Sequence, residues 1–265
     1  MGAIALGETD IVTRREGAVA IVQVNRAAKK NAMTLAMWKE LKRVFGELGR
    51  DRAVRAIVFT GSGGVFGAGA DVTEFQTVRT NAAEAAAYDL EVDHCVAAMT
   101  SAPQPTVAAI SGVCAAGSIA LALACDFRVA DRSAVFFLPP ARLGLVYGVE
   151  KCRRLVNVVG LANAKRILFS GRRFGLDEAK AWGFVDEAAE SDAVAAAIEF
   201  VRDMSECAPL SVAGMKAVLE AIGDDDVAAR QARIDFGVHA ADSSEDQREA
   251  VRAFAEKRKP VFTGR

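Results

Sequence analysis

Histidine is nearly missing from this chain: of its 265 residues only two, His94 and His239, carry an imidazole. Neither Cys-x-x-Cys nor His-Glu-x-x-His occurs, so a zinc or iron centre built from side chains has little to be made from. A phosphate loop ending in Gly-Lys-Ser or Gly-Lys-Thr is absent, as is the Gly-x-Ser-x-Gly elbow of serine hydrolases. Gly67-Ala68-Gly69 begins a dinucleotide fingerprint, but Val72 stands where its third glycine is required.

Charge of one sign is not in excess either. With 33 basic and 34 acidic side chains the net charge is −1, which argues against an electrostatic grip on nucleic acid or an anionic membrane. The five cysteines, at 95, 114, 125, 152 and 207, are odd in number and irregularly spaced, and most lie in apolar runs. They read as reduced core thiols, and the expected compartment is the cytoplasm. No apolar run reaches membrane-spanning length, since even Ile110 to Ala124 is broken by Gly112 and Gly117. The opening MGAIALGETD lacks a basic region and has too short an apolar run for a secretion signal.

What the chain does have is a pair of matching turns. Val58-Phe59-Thr60 runs into GSGGVFGAGAD, and Ile110 runs into SGVCAAGSIALALACD. Each is an apolar run, a glycine-rich turn and a new helical pattern. Glycine admits φ > 0 and lets a ligand approach the main chain, while a helix start presents unpaired N–H groups. Two such turns facing each other aim two donors at one oxygen, which suits the charge that develops on a carbonyl in enolate or acyl chemistry.

Around these turns the periodicity is that of a layered α/β core. Ala18 to Val24 alternates as a strand, and Thr34 starts a helix with Leu35, Trp38, Leu41 and Phe45 on one face. Strands are expected at Ala56 to Phe59, Thr106 to Ile110 and Phe127 to Ala130, with helices at 81–100 and 117–124 between them. From about Val149 the pattern turns to helix after helix, over 155–169, 177–182, 192–204, 210–222 and 244–257. A core over residues 1–195 followed by a helical region over 196–265 is the expected organisation.

Taken together, Asn25-Arg26, GVFGAGAD, SGVCAAGSIALALACDFRVA and the tail SEDQREAVRAFAEKRKPVF resemble the enoyl-CoA hydratase/isomerase, or crotonase, superfamily. The resemblance implies an α/β spiral of ββα units, a C-terminal helical trimerisation region and an acyl-CoA thioester bound in a hook. It places the two oxyanion-hole N–H groups at Ala70 and Gly117. It puts coenzyme A, as part of the substrate and not as a resident cofactor, against Arg26, Lys29, Lys30 and Ala68. Phe254 and Lys257 match a Phe-x-x-Lys pair that reaches the CoA of a neighbouring subunit, so a homotrimer or dimer of trimers is implied.

The chain also departs from the pattern. The two glutamates of family hydratases fall at Ala120 and Pro140 here, and a further acid of dienoyl isomerases falls at Gly148. None of these residues has a titratable proton, so efficient hydration is not expected. Tyr147, Glu150 and Asp71 are the remaining candidates, with Asp71 expected to cap the helix after GAGA. Leu-Gly-x-x-Tyr, ending at Tyr147, resembles a segment of family decarboxylases acting on methylmalonyl-CoA; alternatively the Tyr147 ring packs and its hydroxyl bonds to backbone. Glu150 either turns toward the pocket or complements a helix N-terminus. His94 reads as structural. Three functions follow: an enolate-stabilising member of the family, a malonyl-type decarboxylase using Tyr147, or a non-catalytic acyl-CoA binding protein.

Overall fold

The alternation at residues 18–24 is realised as a strand buried on both faces in the computed structural model, which describes residues 10–144, 146–222 and 227–265. The strands are β1 (Ile11–Glu16), β2 (Val19–Val24), β3 (Ala56–Gly61), β4 (Thr106–Ile110), β5 (Val113–Ala115), β6 (Phe127–Asp131), β7 (Val135–Phe137), β8 (Arg173–Gly175) and β9 (Glu187–Ala189). The helices are α1 (Leu35–Arg50), α2 (Phe75–Val78), α3 (Ala82–Thr100), α4 (Gly117–Ala124), α5 (Val149–Ser170) and α6 (Leu176–Ala181). Helices α7 (Ala193–Phe200), α8 (Arg202–Ser205), α9 (Pro209–Ala221), α10 (Val227–Asp242) and α11 (Glu245–Ala255) follow.

Six strands form one sheet in the order β1-β2-β3-β4-β6-β9, parallel except for the β1–β2 hairpin. Three short strands form a second sheet, β5-β7-β8. The chain steps from the large sheet to the small one and then into a helix, as in β4–β5–α4, and this repeat is the ββα unit. Strand alternation sorts the core into two layers. Val22, Ile57, Phe59, Ala108 and Ile110 face α1 and α3, with Trp38, Leu41, Phe45 and Met99 opposite them. Ile21, Val58, Val107, Ala109 and Val129 face the other way, onto Ala193, Ala197 and Val201 around α7.

Local chemistry sets the helix ends. Thr34 accepts a hydrogen bond from the Met37 amide and Asn81 accepts one from Glu84, so α1 and α3 begin at capped residues. Ser244 caps α11 in the same way. The helix expected over 192–204 is divided at Val201 into α7 and α8. The pattern over 155–169 belongs to a longer α5 that bends at Gly160, where φ is +73° and ψ is 162°. Strand β1, the four three-residue strands β5, β7, β8 and β9, and helix α10 were not anticipated. Runs of three residues are too short to show a period.

Candidate active site

The two glycine-rich turns meet. Gly67 donates to Val113 O at 2.9 Å and accepts from Ala115 N at 2.9 Å, which zips the first turn to β5 just before α4 begins. On its other side, Met33 N donates to Gly69 O at 2.7 Å and Asp71 N donates to Met33 O at 2.8 Å. Those bonds belong to the neighbours of Ala70, and Ala70's own N–H donates to nothing among the described residues. Gly117 opens α4, so its N–H has no carbonyl one turn back to bond, and it too is free of partners there. A Cβ built on Gly117 would lie 3.5 Å from the Ala70 nitrogen, and one on Gly69 would lie 2.8 Å from the Gly117 nitrogen.

Close approach therefore requires glycine at 69, whose φ is +95°. Ala116, just before α4, holds φ at +48° and ψ at −117° despite its Cβ. Such backbone costs on the order of 1–3 kcal/mol and persists only where its surroundings over-determine it. Here Ala116 N donates to Phe137 O at 2.9 Å and Ala116 O accepts from Ile119 N at 3.0 Å. Ser118 Oγ, buried, accepts from Gly69 N at 3.0 Å and ties the two turns together directly. Two unused N–H groups held side by side can both donate to one carbonyl oxygen and stabilise the negative charge that grows on it.

One turn along α4 from Gly117, Ala120 lines a cavity of about 320 Å3 together with Ile119, Leu123, Leu138, Tyr147 and Leu155. No titratable group stands at Ala120. Pro140 is buried at the start of a 3-10 turn, Ala141–Leu143. Tyr147 is packed partly against the core, and its hydroxyl makes no hydrogen bond among the described residues. The expectation that this hydroxyl bonds to backbone is therefore not met. Burial pushes the phenol up to about 12, so it stays protonated at neutral pH. Glu150 lines the same cavity from the first turn of α5. Its carboxylate accepts from Arg153 Nη2 at 2.7 Å and Nε at 3.0 Å, which holds its pKa below the ordinary value. It is an ionised rim residue, unsuited to donating a proton.

Asp71 caps the 3-10 turn Val72–Glu74, accepting from Thr73 N at 3.1 Å. The Thr73 hydroxyl and the Arg26 guanidinium, at 2.6 and 2.7 Å, pull its carboxyl down to about 2. Arg26 also donates to Ala32 O at 2.9 Å, so this arginine braces the first turn from behind. Lys29 and Lys30 remain exposed beside it, and Ala68 N donates to Lys30 O at 2.9 Å, bringing Ala68 into the same loop cluster. Phe254 and Lys257 stand apart from the cavity on and just beyond α11, with Phe254 88 % exposed. His94 is exposed on the cavity rim with Asp93, Lys151 and Arg154. In sequence the run Lys151, Arg153, Arg154 reads as a solvated face; Arg154, four residues after Glu150 and on the same helical face, is instead part-buried at the cavity, its side chain 18 % exposed.

The family model for enoyl-CoA hydratase/isomerase matches residues 14–265. This chain belongs to that family. Among the family's members, the short-chain-enoyl-CoA hydratase of Clostridium acetobutylicum is 31 % identical over 252 residues, covering 94 % of this chain and 96 % of its own. The human enoyl-CoA hydratase domain-containing protein 2, mitochondrial, is 34 % identical, covering 92 % of this chain and 85 % of its own. A crystal structure of an enoyl-CoA hydratase/carnithine racemase from Magnetospirillum magneticum superposes with a TM-score of 0.89 at 34 % identity, covering 98 % of this chain and 97 % of that one. Among the described residues no helix is long and apolar enough to cross a membrane.

Proposed function

We propose that the protein binds an acyl-CoA thioester with its carbonyl oxygen between the Ala70 and Gly117 N–H groups and stabilises the enolate of that thioester. The observation that carries this reading is the pair of adjacent backbone donors without partners. Lys29 and Lys30, exposed beside Ala68, supply mobile positive charge for the CoA phosphates. The acyl group enters the cavity beside Ala120. Water addition is slow, because neither Ala120 nor Pro140 can carry a proton.

A second reading, decarboxylation of a malonyl-type thioester, is favoured by Tyr147. Breaking the bond between Cα and the carboxylate releases CO2 and leaves its electron pair as the enolate, so no base is required. The neutral Tyr147 hydroxyl, unbonded and at the cavity wall, returns a proton to Cα.

The test is mass spectrometry of saturated, enoyl and malonyl-type CoA thioesters after incubation with the purified protein. Loss of CO2 from the malonyl-type thioester, falling about 10²-fold or more in Tyr147→Phe, is the expected result for the second reading. Rapid gain of water by the enoyl thioester contradicts the account of residues 120 and 140. Tight binding with no conversion of any thioester assigns the protein a carrier role.

The assembly belongs to the same proposal. Met215, Leu219, Phe236, Val251 and Phe254 leave apolar side chains exposed along α9–α11. Such a surface on the C-terminal helices fits burial against further copies of the chain, as a trimer or dimer of trimers.

A further inference from the structure

The cavity beside Ala120 has an apolar floor and, at its wall, an arginine that makes no hydrogen bond among the described residues. Val96, Ile119, Ala120, Leu123, Leu138 and Leu155 supply the floor. Around them, Lys151 lies 3.7 Å from Asp93, and Arg153 holds both oxygens of Glu150 through two hydrogen bonds. Arg154 has only a share in Glu150: its Nε lies 3.3 Å from Oε1 without forming a hydrogen bond. That Nε is buried, the side chain as a whole is 18 % exposed, and its Nη groups have no partner among the described residues.

A guanidinium drawn this far from water gains most from a carboxylate that can meet its planar fork. Its Nε is buried without a hydrogen-bonded partner, a costly arrangement only partly offset by the Glu150 ion pair, while the Nη groups keep access to solvent and to a ligand. A methyl-ended acyl chain would fill the apolar floor and leave that cost uncompensated. A chain ending in a second carboxylate would fill the floor and satisfy the arginine.

We propose that Arg154 is a carboxylate subsite, and that the substrates are monothioesters of dicarboxylic acids with coenzyme A. The proposal rests on the reading of the cavity as the acyl pocket. The acyl chain runs from the Gly117 end of α4 past Ala120 toward α5, and its free carboxylate takes the Nη face of Arg154. Glu150 stays neutralised by Arg153 and is not displaced.

Equilibrium binding tests this with malonyl-, succinyl- and glutaryl-CoA, each against a methyl-ended acyl-CoA of matching length. Wild-type protein should hold at least one dicarboxylic thioester about tenfold or more tightly than its partner, and the length preferred measures the reach to Arg154. In Arg154→Gln the ratio should fall to about one, and in Arg154→Lys it should be partly retained, because lysine keeps the charge and loses the fork. Ratios near one in wild type, with acyl-CoA binding intact, overturn the subsite and leave the thioester reading standing. A preference that survives in a folded Arg154→Gln overturns it too. Failure of every thioester, and of free coenzyme A, to bind overturns the thioester reading and the subsite together.

Discussion

At Gly117 a single hydrogen atom leaves open the space beside the Ala70 donor that the proposed function gives to a thioester oxygen. A methyl added there would meet nothing closer than 3.5 Å, with the Ala70 nitrogen, Gly69 Cα and Trp38 Cζ2 as its neighbours. The fold should therefore accept Gly117→Ala, while the space beside the Ala70 donor is taken. Thermal melting within a few degrees of wild type is expected, with any thioester turnover lowered about 10²-fold, the scale on which loss of an oxyanion contact acts. An unchanged rate would place the thioester oxygen elsewhere. Gly69 offers no such tolerance, because its added Cβ would sit 2.8 Å from the Gly117 nitrogen at a φ that side chains avoid. The glycines at 69 and 117 were legible in the sequence, since each follows a strand and precedes a helical pattern. The partners of Tyr147, Glu150 and Arg154 were not, because a side chain's direction depends on neighbours distant in the chain.

Elements show where the reading of periodicity ran out. Helix α10 went unseen because Gly237 weakens its helical pattern, yet that glycine is what lets the helix approach α9 closely. It packs against Gly214 of α9, and a Cβ on Gly214 would come within 2.8 Å of Gly237 O. Gly214→Val forces two backbones apart. A loss of about 2 kcal/mol or more is expected from overpacking of this kind, seen as a lower denaturation midpoint. The α9–α10 pair is in turn fastened to the core by Lys216, whose Nζ donates to Asp126 Oδ2 at 2.8 Å and to Gln104 O at 3.1 Å. Asp126 also accepts from Thr106 N at 2.7 Å, so one carboxylate joins the start of β4 to the helical region. Nothing in the local sequence pairs positions 126 and 216.

For the whole molecule, the two-layer core and the exposed C-terminal helices make different demands. The large sheet is covered by α1 and α3 on one face and by α7 on the other, and its central strands are sealed from solvent. The apolar side chains exposed on α9–α11 are the surface on which the proposed assembly of further copies rests. Size-exclusion chromatography with light scattering should give three or six copies, and Phe254→Ser should shift the population toward smaller species. A wild-type monomer at micromolar concentration would remove both the trimer and the shared-site role of Phe254 and Lys257.

The sequence alone determined the family, the α/β class and the two glycine turns, because periodicity, caps and glycine requirements act over a few neighbouring residues. It also shows that positions 120 and 140 hold alanine and proline, neither of which carries a titratable proton. Only the tertiary structure decided that the Ala70 and Gly117 donors stand side by side, without partners among the described residues. It alone left the Tyr147 hydroxyl without a hydrogen bond among those residues, tied Arg26 to Asp71 and set Arg154 at the cavity wall. The Arg26–Asp71 pair joins positions 45 apart, and the other facts likewise depend on packing that no local pattern encodes.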